Sequence, residues 1–379
     1  MSQDLHPSVQ ILTRNLEQLQ GKLLIINPVE ASAISAILTT SPVKKVTVSC
    51  QDYGLYLDVK KTGVASAFET HCKRSSAFDM AVLFLPKSDA EISMTLAWAS
   101  ETLKPNGKIV LIGQNNAGIK SAKKTLEKLI GPVVFSDSAR HSAFYVATKT
   151  IKLNKFNLAD YWQKYEVTLP TTHSELNTKH LIVYSLPGTF SHGRLDDGTK
   201  LFLDSLETLP EAKHILDWGC GAGTIGALIA TTNKQAKIDL IDTNALALES
   251  AKKTIEQNKL SNCNVLAGHV FTGTTNMYDY IVANPPFHKG HDTYYADVEK
   301  FLLEAKNHLT EHGRLRIVAN IFLRYEQLME QQFGYVKTIA KTNKYKILEA
   351  VKVAPQLPGK FKKHRKMKMP ENDNLDDYV

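Results

Sequence analysis

The sequence predicts an α/β protein of two tandem domains, each a doubly wound, mostly parallel sheet with an antiparallel hairpin at one edge. Two observations support this fold class. Apolar strand segments alternate with helix segments through the C-terminal half, and the N-terminal half repeats the same plan more faintly. Such alternation is typical of a parallel sheet with helices on both faces. A repeated plan indicates two copies of one architecture.

In the C-terminal half, the predicted strands are short apolar runs and the predicted helices carry apolar stripes. The strands are 215–217, 237–242, 278–283 and 315–319, and the helices are 224–230, a segment through 248–255, and 297–309. Gly313 is expected to break the last helix. The final segments, 335–340 and 345–351, predict the antiparallel hairpin.

The N-terminal half contains counterparts of three of these segments. The matched pairs are 79–86 with 279–286, 103–112 with 309–318, and 131–149 with 334–352. The first strand of this half, 23–28, continues without a glycine, whereas the corresponding strand of the second half ends in a glycine-rich turn. The copy is therefore expected to keep the sheet and to have lost the site.

These patterns divide the chain into four parts. The predicted boundaries are 1–155 for the N-terminal domain, 156–195 for a connecting segment, 196–353 for the second domain and 354–379 for a charged tail. The connecting segment contains Tyr161, Trp162 and Tyr165, which make it too apolar for a simple linker. We expect it to pack on the second domain.

Composition and charge restrict the class of protein. The 379 residues carry 46 basic and 38 acidic side chains, a formal net charge of +8. No apolar run reaches membrane-spanning length and the chain start lacks a signal-peptide pattern, so a folded cytosolic protein is expected. The four cysteines lack disulfide or metal spacing, so we expect reduced thiols and no metal site. A basic run at 360–368 fits either contact with nucleic-acid phosphate or a solvated tail.

The first chemical motif is a glycine-rich turn at residues 217–223 (DWGCGAG), between a strand and a helix. Glycine is needed where the backbone turns sharply and a ligand approaches it closely. Gly221, Gly223 and Gly226 also satisfy the dinucleotide fingerprint, and Asp242 lies 21 residues after Gly221, where a ribose-binding acid is expected. The turn alone leaves nicotinamide and S-adenosylmethionine (SAM) cofactors equally open.

The second motif, residues 284–287 (NPPF), directly follows the third predicted strand, at the sheet edge where ligands bind in this fold. An exocyclic amine on a base is a poor nucleophile because its lone pair is delocalised into the ring. The Asn284 side-chain oxygen and the Pro285 carbonyl can accept its two N–H groups and turn the lone pair toward a methyl donor. Phe287 offers a ring face for a flat base. A nicotinamide site leaves this motif unexplained, and an ordinary proline-rich loop is the structural alternative.

Together the motifs resemble those of class I SAM-dependent methyltransferases that modify planar amino groups. Four segments in order are similar to the bacterial ribosomal RNA small subunit methyltransferase C family: 186–191 (LPGTFS), 217–223, 284–288 (NPPFH) and 316–320 (RIVAN). The resemblance extends over most of the chain except the tail. It implies two Rossmann-like methyltransferase domains, the first degenerate, and methyl transfer from SAM to N2 of guanine-1207 in 16S rRNA.

The resemblance also implies a role for each site residue. The cofactor-binding residues would be Gly219, Gly221 and Gly223 along SAM, Asp217 near its methionine end, Asp242 on the ribose hydroxyls and His269 at the adenine. The catalytic residues would be Asn284 and Pro285, which orient the amine, and Phe287, which stacks on the base. The implied partner is 16S rRNA within the 30S subunit or an assembly intermediate, with the N-terminal domain docking RNA or supporting the catalytic domain.

Five alternatives remain open at this point. The sister family that methylates guanine N2 in 23S rRNA shares the NPPFH segment and the two-domain plan. DNA adenine and protein glutamine methyltransferases carry similar Asn-Pro-Pro motifs, which usually end in Tyr. A nicotinamide oxidoreductase fits the glycine turn alone. A binding module that keeps the SAM fold without catalysis is the alternative from a different functional class.

Overall fold

The computed structural model describes residues 5–40, 43–168, 180–206, 212–285 and 292–352. These residues form two seven-stranded sheets and one two-stranded pair. Both large sheets are mostly parallel and end in an antiparallel edge, which confirms the predicted fold class. No helix in the described ranges combines the length and apolar character needed to cross a membrane.

The N-terminal sheet is flanked by helices on both faces. Its strands are β1 (Gly21–Ile26), β2 (Val43–Cys50), β3 (Ala65–Phe68), β4 (Phe78–Phe84), β5 (Leu103–Gln114), β6 (Val133–Ala139) and β7 (Ser142–Thr148). Its helices are α1 (Pro7–Arg14), α2 (Ser32–Thr40), α3 (Tyr53–Lys61), α4 (Asp89–Thr102) and α5 (Ile119–Leu129). The strand order is β3-β2-β1-β4-β5-β7-β6, so the chain starts in the middle of the sheet and builds first to one side and then to the other.

Two short elements connect the halves. An antiparallel pair is made by β8 (Gln163–Thr168) and β9 (His180–Ser185), followed by α6 (Asp197–Asp204). Val167, Leu181 and Val183 of this pair are buried in the same cluster as the helix that follows the glycine-rich turn. The proposed boundaries at 155 and 195 stay a prediction.

The C-terminal sheet repeats the strand order of the first. Its strands are β10 (His214–Trp218), β11 (Lys237–Asp242), β12 (Cys263–Ala267), β13 (Tyr278–Ala283), β14 (Leu309–Asn320), β15 (Val336–Lys341) and β16 (Tyr345–Val351). Its helices are α7 (Thr224–Thr232), α8 (Ala245–Gln257), α9 (Asp292–Glu304) and α10 (Tyr325–Phe333). The order β12-β11-β10-β13-β14-β16-β15 corresponds strand for strand to the N-terminal sheet.

Particular hydrogen bonds recur in both sheets. The Asp79 carboxylate accepts from the Lys22 amide at 2.8 Å, and the Asp279 carboxylate accepts from the Lys213 amide at 2.9 Å. The Lys149 amide donates to the Gly107 carbonyl, and the equivalent Lys352 amide donates to the Gly313 carbonyl. The internal repeat predicted from matched segments is therefore a repeat of contacts as well as of strand order.

Both predicted boundaries of one helix are wrong. The helix expected at 297–309 begins earlier, at Asp292, and ends at Glu304, with a 3-10 turn from Ala305 to His308. Gly313 does not break a helix, because it lies inside β14, where the pairing register with β13 shifts. The apolar stripe was identified correctly, since Val298, Phe301 and Leu302 are buried, but it gave no signal for where the helix begins.

A fully paired charge cluster lies inside the second sheet. Arg316 on β14 is 1% exposed, and its Nε and Nη2 donate to Glu349 Oε2 at 2.8 and 2.6 Å. The Tyr280 hydroxyl donates to the same oxygen, and Arg316 Nη1 donates to the Ser205 carbonyl at 2.8 Å. Buried charges are tolerated only when paired in this way. Arg316, the first residue of the 316–320 segment, therefore has a structural role.

We predict that Glu349→Gln lowers the free energy of unfolding by about 3–5 kcal/mol, because the substitution keeps the side-chain shape but leaves the Arg316 charge uncompensated in the core. Urea unfolding measures this change. The control is Glu311→Gln, since the Glu311 side chain is 70% exposed beside Lys352, and a change within about 0.5 kcal/mol is expected there. A Glu349→Gln midpoint equal to that of the wild type would contradict the prediction.

Candidate active site

The carboxyl ends of β10, β11 and β13 lie side by side, because these strands are neighbours and parallel. The predicted site residues that follow these three strands are therefore brought to one edge of the sheet. His269 follows β12, one strand further out. This edge is also the place where the chain switches from building one side of the sheet to building the other, which leaves a crevice for a ligand.

The glycine turn after β10 has the conformation and the space expected of a ligand cradle. Gly219 and Gly221 have φ angles of 67° and 55°, in the left-handed region that favours glycine. A Cβ atom added at either position would meet no described atom within 4 Å. Packing therefore does not require glycine at these two positions. Gly223, by contrast, lies against α8, where an added Cβ would be 3.2 Å from Ala251.

Asp217 lies beneath the turn rather than on its surface. It is 1% exposed, and its Oδ2 accepts from the Gly226 amide at 2.8 Å. A Cβ at position 226 would lie 2.9 Å from that oxygen, so the third glycine of the fingerprint allows the strand and helix to approach closely. Burial raises the pKa of Asp217 to about 7, and the nearby Asp242 adds to the rise. Its predicted contact with the methionine end of SAM stays a prediction.

Asp242 ends β11 and borders the glycine turn. Its Oδ2 accepts from the Gly221 amide and its Oδ1 from the Asn244 amide, both at 2.8 Å. Burial raises the pKa of the Asp242 carboxyl, while these two hydrogen bonds oppose the rise. The carboxylate is thus held rigidly beside the turn, at the position expected for binding ribose hydroxyls.

His269 is placed by two neighbours. Its Nε2 lies 3.0 Å from Asp297 Oδ1 on α9, and its ring packs against Gly54 on α3 of the N-terminal domain. The hydrogen bond to Asp297 raises the pKa of His269, against the effect of burial. Trp218 ties the adjoining loop to β10, because its indole N–H donates to the Val270 carbonyl at 2.8 Å. The adenine contact predicted for His269 stays a prediction.

Asn284 follows β13 with its side-chain amide held in one orientation. Its Nδ2 donates to Thr199 Oγ1 at 2.8 Å and lies 3.3 Å from Asp196 Oδ2. A carboxylate can only accept, so the amide nitrogen must face Asp196. The Asn284 oxygen is buried and has no hydrogen-bond partner among the described residues. Pro285 beside it is buried, and Phe287 lies outside the described residues.

Sequence reasoning missed the residues that orient Asn284. Asp196 caps α6 by accepting from the Thr199 amide at 2.9 Å, and Thr199 is 7% exposed. The sequence signal at this point is an ordinary helix N-cap, which does not reveal that both side chains reach a residue 85 or more positions away. The connecting segment also makes a tertiary contact beside the glycine turn. The Tyr165 hydroxyl lies 3.0 Å from Oγ1 of Thr224, the residue that follows the turn.

The corresponding edge of the N-terminal sheet is built differently. Asn27 follows β1 with a φ of 47°, in the left-handed region that glycine occupies in the second domain. Its side chain exchanges two hydrogen bonds with Gln51, at 2.6 and 2.8 Å. Two polar side chains thus lie where the second domain has an open turn. The expectation that this domain binds no SAM stays a prediction.

The chain was compared with known families and structures. The family models for the methyltransferase small domain N-terminal and the methyltransferase small domain match residues 9–165 and 180–349. A ribosomal RNA small subunit methyltransferase C of Vibrio parahaemolyticus is 36% identical over 353 residues, covering 93% of this chain and 100% of the relative. The protein of the same description from Haemophilus influenzae is 36% identical over 338 residues, covering 89% and 97%.

A solved structure with a similar fold is that of the T. thermophilus 16S rRNA N2 G1207 methyltransferase in complex with AdoMet and guanosine. It matches with a TM-score of 0.79 at 22% identity and covers 91% of this chain and 92% of that chain. At this identity the likeness supports the two-domain fold. Both sheets take part in the match, since nearly all of each chain is covered.

The sheet is doubly wound, and its carboxyl edge carries a glycine turn, an acid at the end of the second strand and an Asn-Pro pair. These features define a class I methyltransferase, and SAM is the cofactor of that class. The extent and identity of the relatives place the chain more narrowly. It belongs to the ribosomal RNA small subunit methyltransferase C family. The resemblance read from the four segments is confirmed, and membership decides against the large-subunit, DNA, protein and nicotinamide alternatives.

We predict that Asp217→Asn stabilises the protein without bound SAM at pH 8 by up to about 4 kcal/mol, at about 1.4 kcal/mol per pH unit of pKa shift. The folded-state pKa of Asp217, about 7, lies above the ordinary value, so ionisation costs the folded protein stability between about pH 4 and pH 7. The asparagine oxygen can still accept from the Gly226 amide.

Urea unfolding of both proteins at pH 5 and pH 8 measures the effect, which should be larger at pH 8. Asp58→Asn serves as the control, because the Asp58 side chain is 59% exposed and pairs only with Lys61 among the described residues. A difference between Asp217→Asn and wild type that is the same at both pH values would contradict the assignment.

Proposed function

We propose that this chain transfers the methyl group of SAM to the exocyclic N2 amine of a guanine in 16S rRNA, at guanine-1207, the position named for the structurally similar T. thermophilus enzyme. The observation that carries the proposal is the Asn284 amide, whose nitrogen is held by Asp196 and Thr199 while its oxygen is buried without a partner in the described part of the chain. A buried, unpaired acceptor is costly. An incoming N–H donor would remove that cost.

An aromatic amine suits this acceptor. The Asn284 oxygen and the Pro285 carbonyl would each accept one N–H group of the amine, which fixes the nitrogen and directs its lone pair toward the methyl donor. The nitrogen becomes far more acidic once it carries the methyl group, and it would release its proton to solvent after the transfer. No side chain of matched pKa would then be needed at the amine, and the rate gain would come mainly from positioning. The guanine would have to leave its stack to reach this buried position.

The residues of the glycine turn and the neighbouring acid fit SAM. Gly219 and Gly221 leave open space along their backbone, and Asp242 presents a rigid carboxylate beside them. When bound, SAM supplies an electrophilic methyl group on a sulfonium. Gly219, Gly221 and Gly223 would hold the cofactor and Asp242 its ribose, with His269 at the base.

The sheet edge next to Asn284 suits an RNA acceptor. The loop after β14 exposes 56% of Phe322 and carries the exposed Arg324. The exposed Lys341 ends β15, and the exposed Lys344 lies in the turn between β15 and β16. A backbone hydrogen bond of 2.9 Å joins that loop to that turn. Exposed rings and cations together favour stacking of unpaired bases and contact with phosphate. We propose 16S rRNA in the 30S subunit or an assembly intermediate as the acceptor, in the cytoplasm.

We predict that Asn284→Ala lowers kcat by about 100-fold or more, because the acceptor that orients the amine is lost. Thr199→Val should lower kcat by about tenfold, since the Asn284 amide loses one of its two partners and can rotate. The dissociation constant for SAM should stay within about twofold of the wild-type value in both variants, because neither residue belongs to the proposed cofactor site.

Steady-state methyl transfer at saturating substrate measures kcat, and equilibrium binding measures the dissociation constant for SAM. The matched control is Thr232→Val, the same substitution at the exposed end of α7. Within the described part of the chain, the Thr232 hydroxyl bonds only backbone carbonyls of its own helix. Wild-type kcat in Thr199→Val would show that Thr199 does not position the amide.

The acceptor is tested with labelled SAM and three substrates: 30S subunits, 50S subunits and free 16S rRNA, each from a strain without the modification. We expect N2-methylguanosine in 16S rRNA, with the largest kcat/KM on 30S particles, and none in 23S rRNA. Nucleoside analysis and mapping identify the product. Label in 23S rRNA, or in no RNA despite SAM binding, would overturn the proposed function.

A further inference from the structure

We propose that a turn of the N-terminal domain, residues 51–54, forms part of the catalytic domain's cofactor site, and that Asp52 in this turn is a positioning residue. The turn, called here the N-domain turn, would fix the two loops expected to bind the nucleoside half of SAM. The inference rests on the proposed function, and it concerns cofactor affinity rather than the acceptor.

The N-domain turn is joined to the backbone that follows Asp242 by two reciprocal hydrogen bonds. The Tyr53 amide donates to the Thr243 carbonyl at 2.8 Å, and the Ala245 amide donates to the Gln51 carbonyl at 2.7 Å. Between them, Asp52 and Asn244 form an antiparallel bridge. Because both partners of this bridge are helix N-caps, of α3 and α8, neither side can shift without moving a helix.

The Asp52 side chain adds a third bond across the domains. Its Oδ1 caps α3 by accepting from the Leu55 amide at 2.8 Å, and its Oδ2 accepts from Thr243 Oγ1 at 2.7 Å. Thr243 is the middle residue of the turn that brings the Asn244 amide onto the Asp242 carboxylate. The position of the expected ribose acid is therefore linked through one residue to a side chain of the other domain.

The same turn also contacts the second loop. Gly54 lies in the first turn of α3, where alanine would favour the helix. A Cβ at this position would lie 3.1 Å from two ring carbons of His269, so the absence of a side chain lets the imidazole pack directly on the helix. With Asp297 on its other side at 3.0 Å, His269 is held between the two domains.

Electrostatics agree with this geometry. The Asp52 charge contributes to the raised pKa of Asp242, after burial, and to the raised pKa of His269, after the bond to Asp297. The charge of Asp52 thus affects both side chains that are expected to bind the nucleoside half of SAM, Asp242 and His269. Removal of the N-domain turn would therefore change the shape and the charge of the proposed cofactor site without altering any residue of the catalytic domain.

The test is a double-mutant cycle on the bond between Asp52 and Thr243. Asp52→Ser keeps an N-cap oxygen for α3 but is too short to reach Thr243, and Thr243→Val removes the donor while keeping the shape. We expect each to raise both the dissociation constant and the KM for SAM about tenfold, with kcat within twofold. The double variant should be no worse than either single variant, because both break one bond.

Two further variants show whether a loss of SAM affinity comes from the lost hydrogen bond, from the lost charge of Asp52 or from general destabilisation of the protein. Asp52→Asn keeps the cap, and its amide can donate to Thr243 Oγ1, so near wild-type SAM affinity is expected. Asp58→Ser, on the same helix but paired only with Lys61 among the described residues, should leave SAM affinity unchanged. A melting curve for each variant shows whether the protein is fully folded at the temperature of the binding measurement.

Three results would overturn the proposal. Unchanged SAM affinity in Asp52→Ser and Thr243→Val would remove it directly. Additive losses, or losses of kcat and melting temperature in step with KM, would show a structural role only. Equal losses in Asp52→Asn and Asp52→Ser, with Thr243→Val unaffected, would assign the effect to charge. Since SAM binding is measured without an acceptor, failure of the proposed function leaves this test intact.

Discussion

The structure depends on one constraint, the position of the carboxyl ends of β10, β11 and β13 at a common edge. The strand order sets this constraint, because the chain begins in the middle of the sheet and reverses direction of growth after β12. A turn, an acid and an amide that are far apart in sequence then become neighbours. Each needs only its own strand to end at the correct residue, and the hydrogen bonds of Asp242 and Asn284 then fix the side chains.

The sequence was sufficient for those parts of the site that are local. The glycine turn, Asp242 and the Asn-Pro pair each follow a strong strand signal, so their placement at one edge could be predicted. Asp196 and Thr199 could not, because their relation to Asn284 is tertiary and their local pattern is that of any N-cap. The error at Gly313 has a similar cause, since a glycine within a long strand and a glycine that ends a helix look alike in a single sequence.

The two domains show that a sheet and its site are constrained separately. Bonds that hold the sheet together recur in both, such as those from Asp79 and Asp279 to the start of the neighbouring strand. The domains differ at the carboxyl edge of the sheet. In the first domain, Asn27 and Gln51 hydrogen-bond to each other, whereas the second domain has a glycine turn with open space beside it. Gln51 also accepts the Ala245 amide with its carbonyl, so the altered edge of the first domain contacts the intact edge of the second.

Two buried acids at the proposed cofactor site, Asp217 and Asp242, lower the stability of the protein when no ligand is bound. Burial raises the pKa of both Asp217 and Asp242, and a nearby carboxylate adds to each rise. The charge of Asp242 acts on Asp217, and the charge of Asp52 acts on Asp242. Buried acids of perturbed pKa are typical of binding and catalytic sites. At the proposed cofactor site, the positive charge of SAM would offset part of the electrostatic cost of these buried carboxylates, so ligand binding would recover stability that the fold lacks without it.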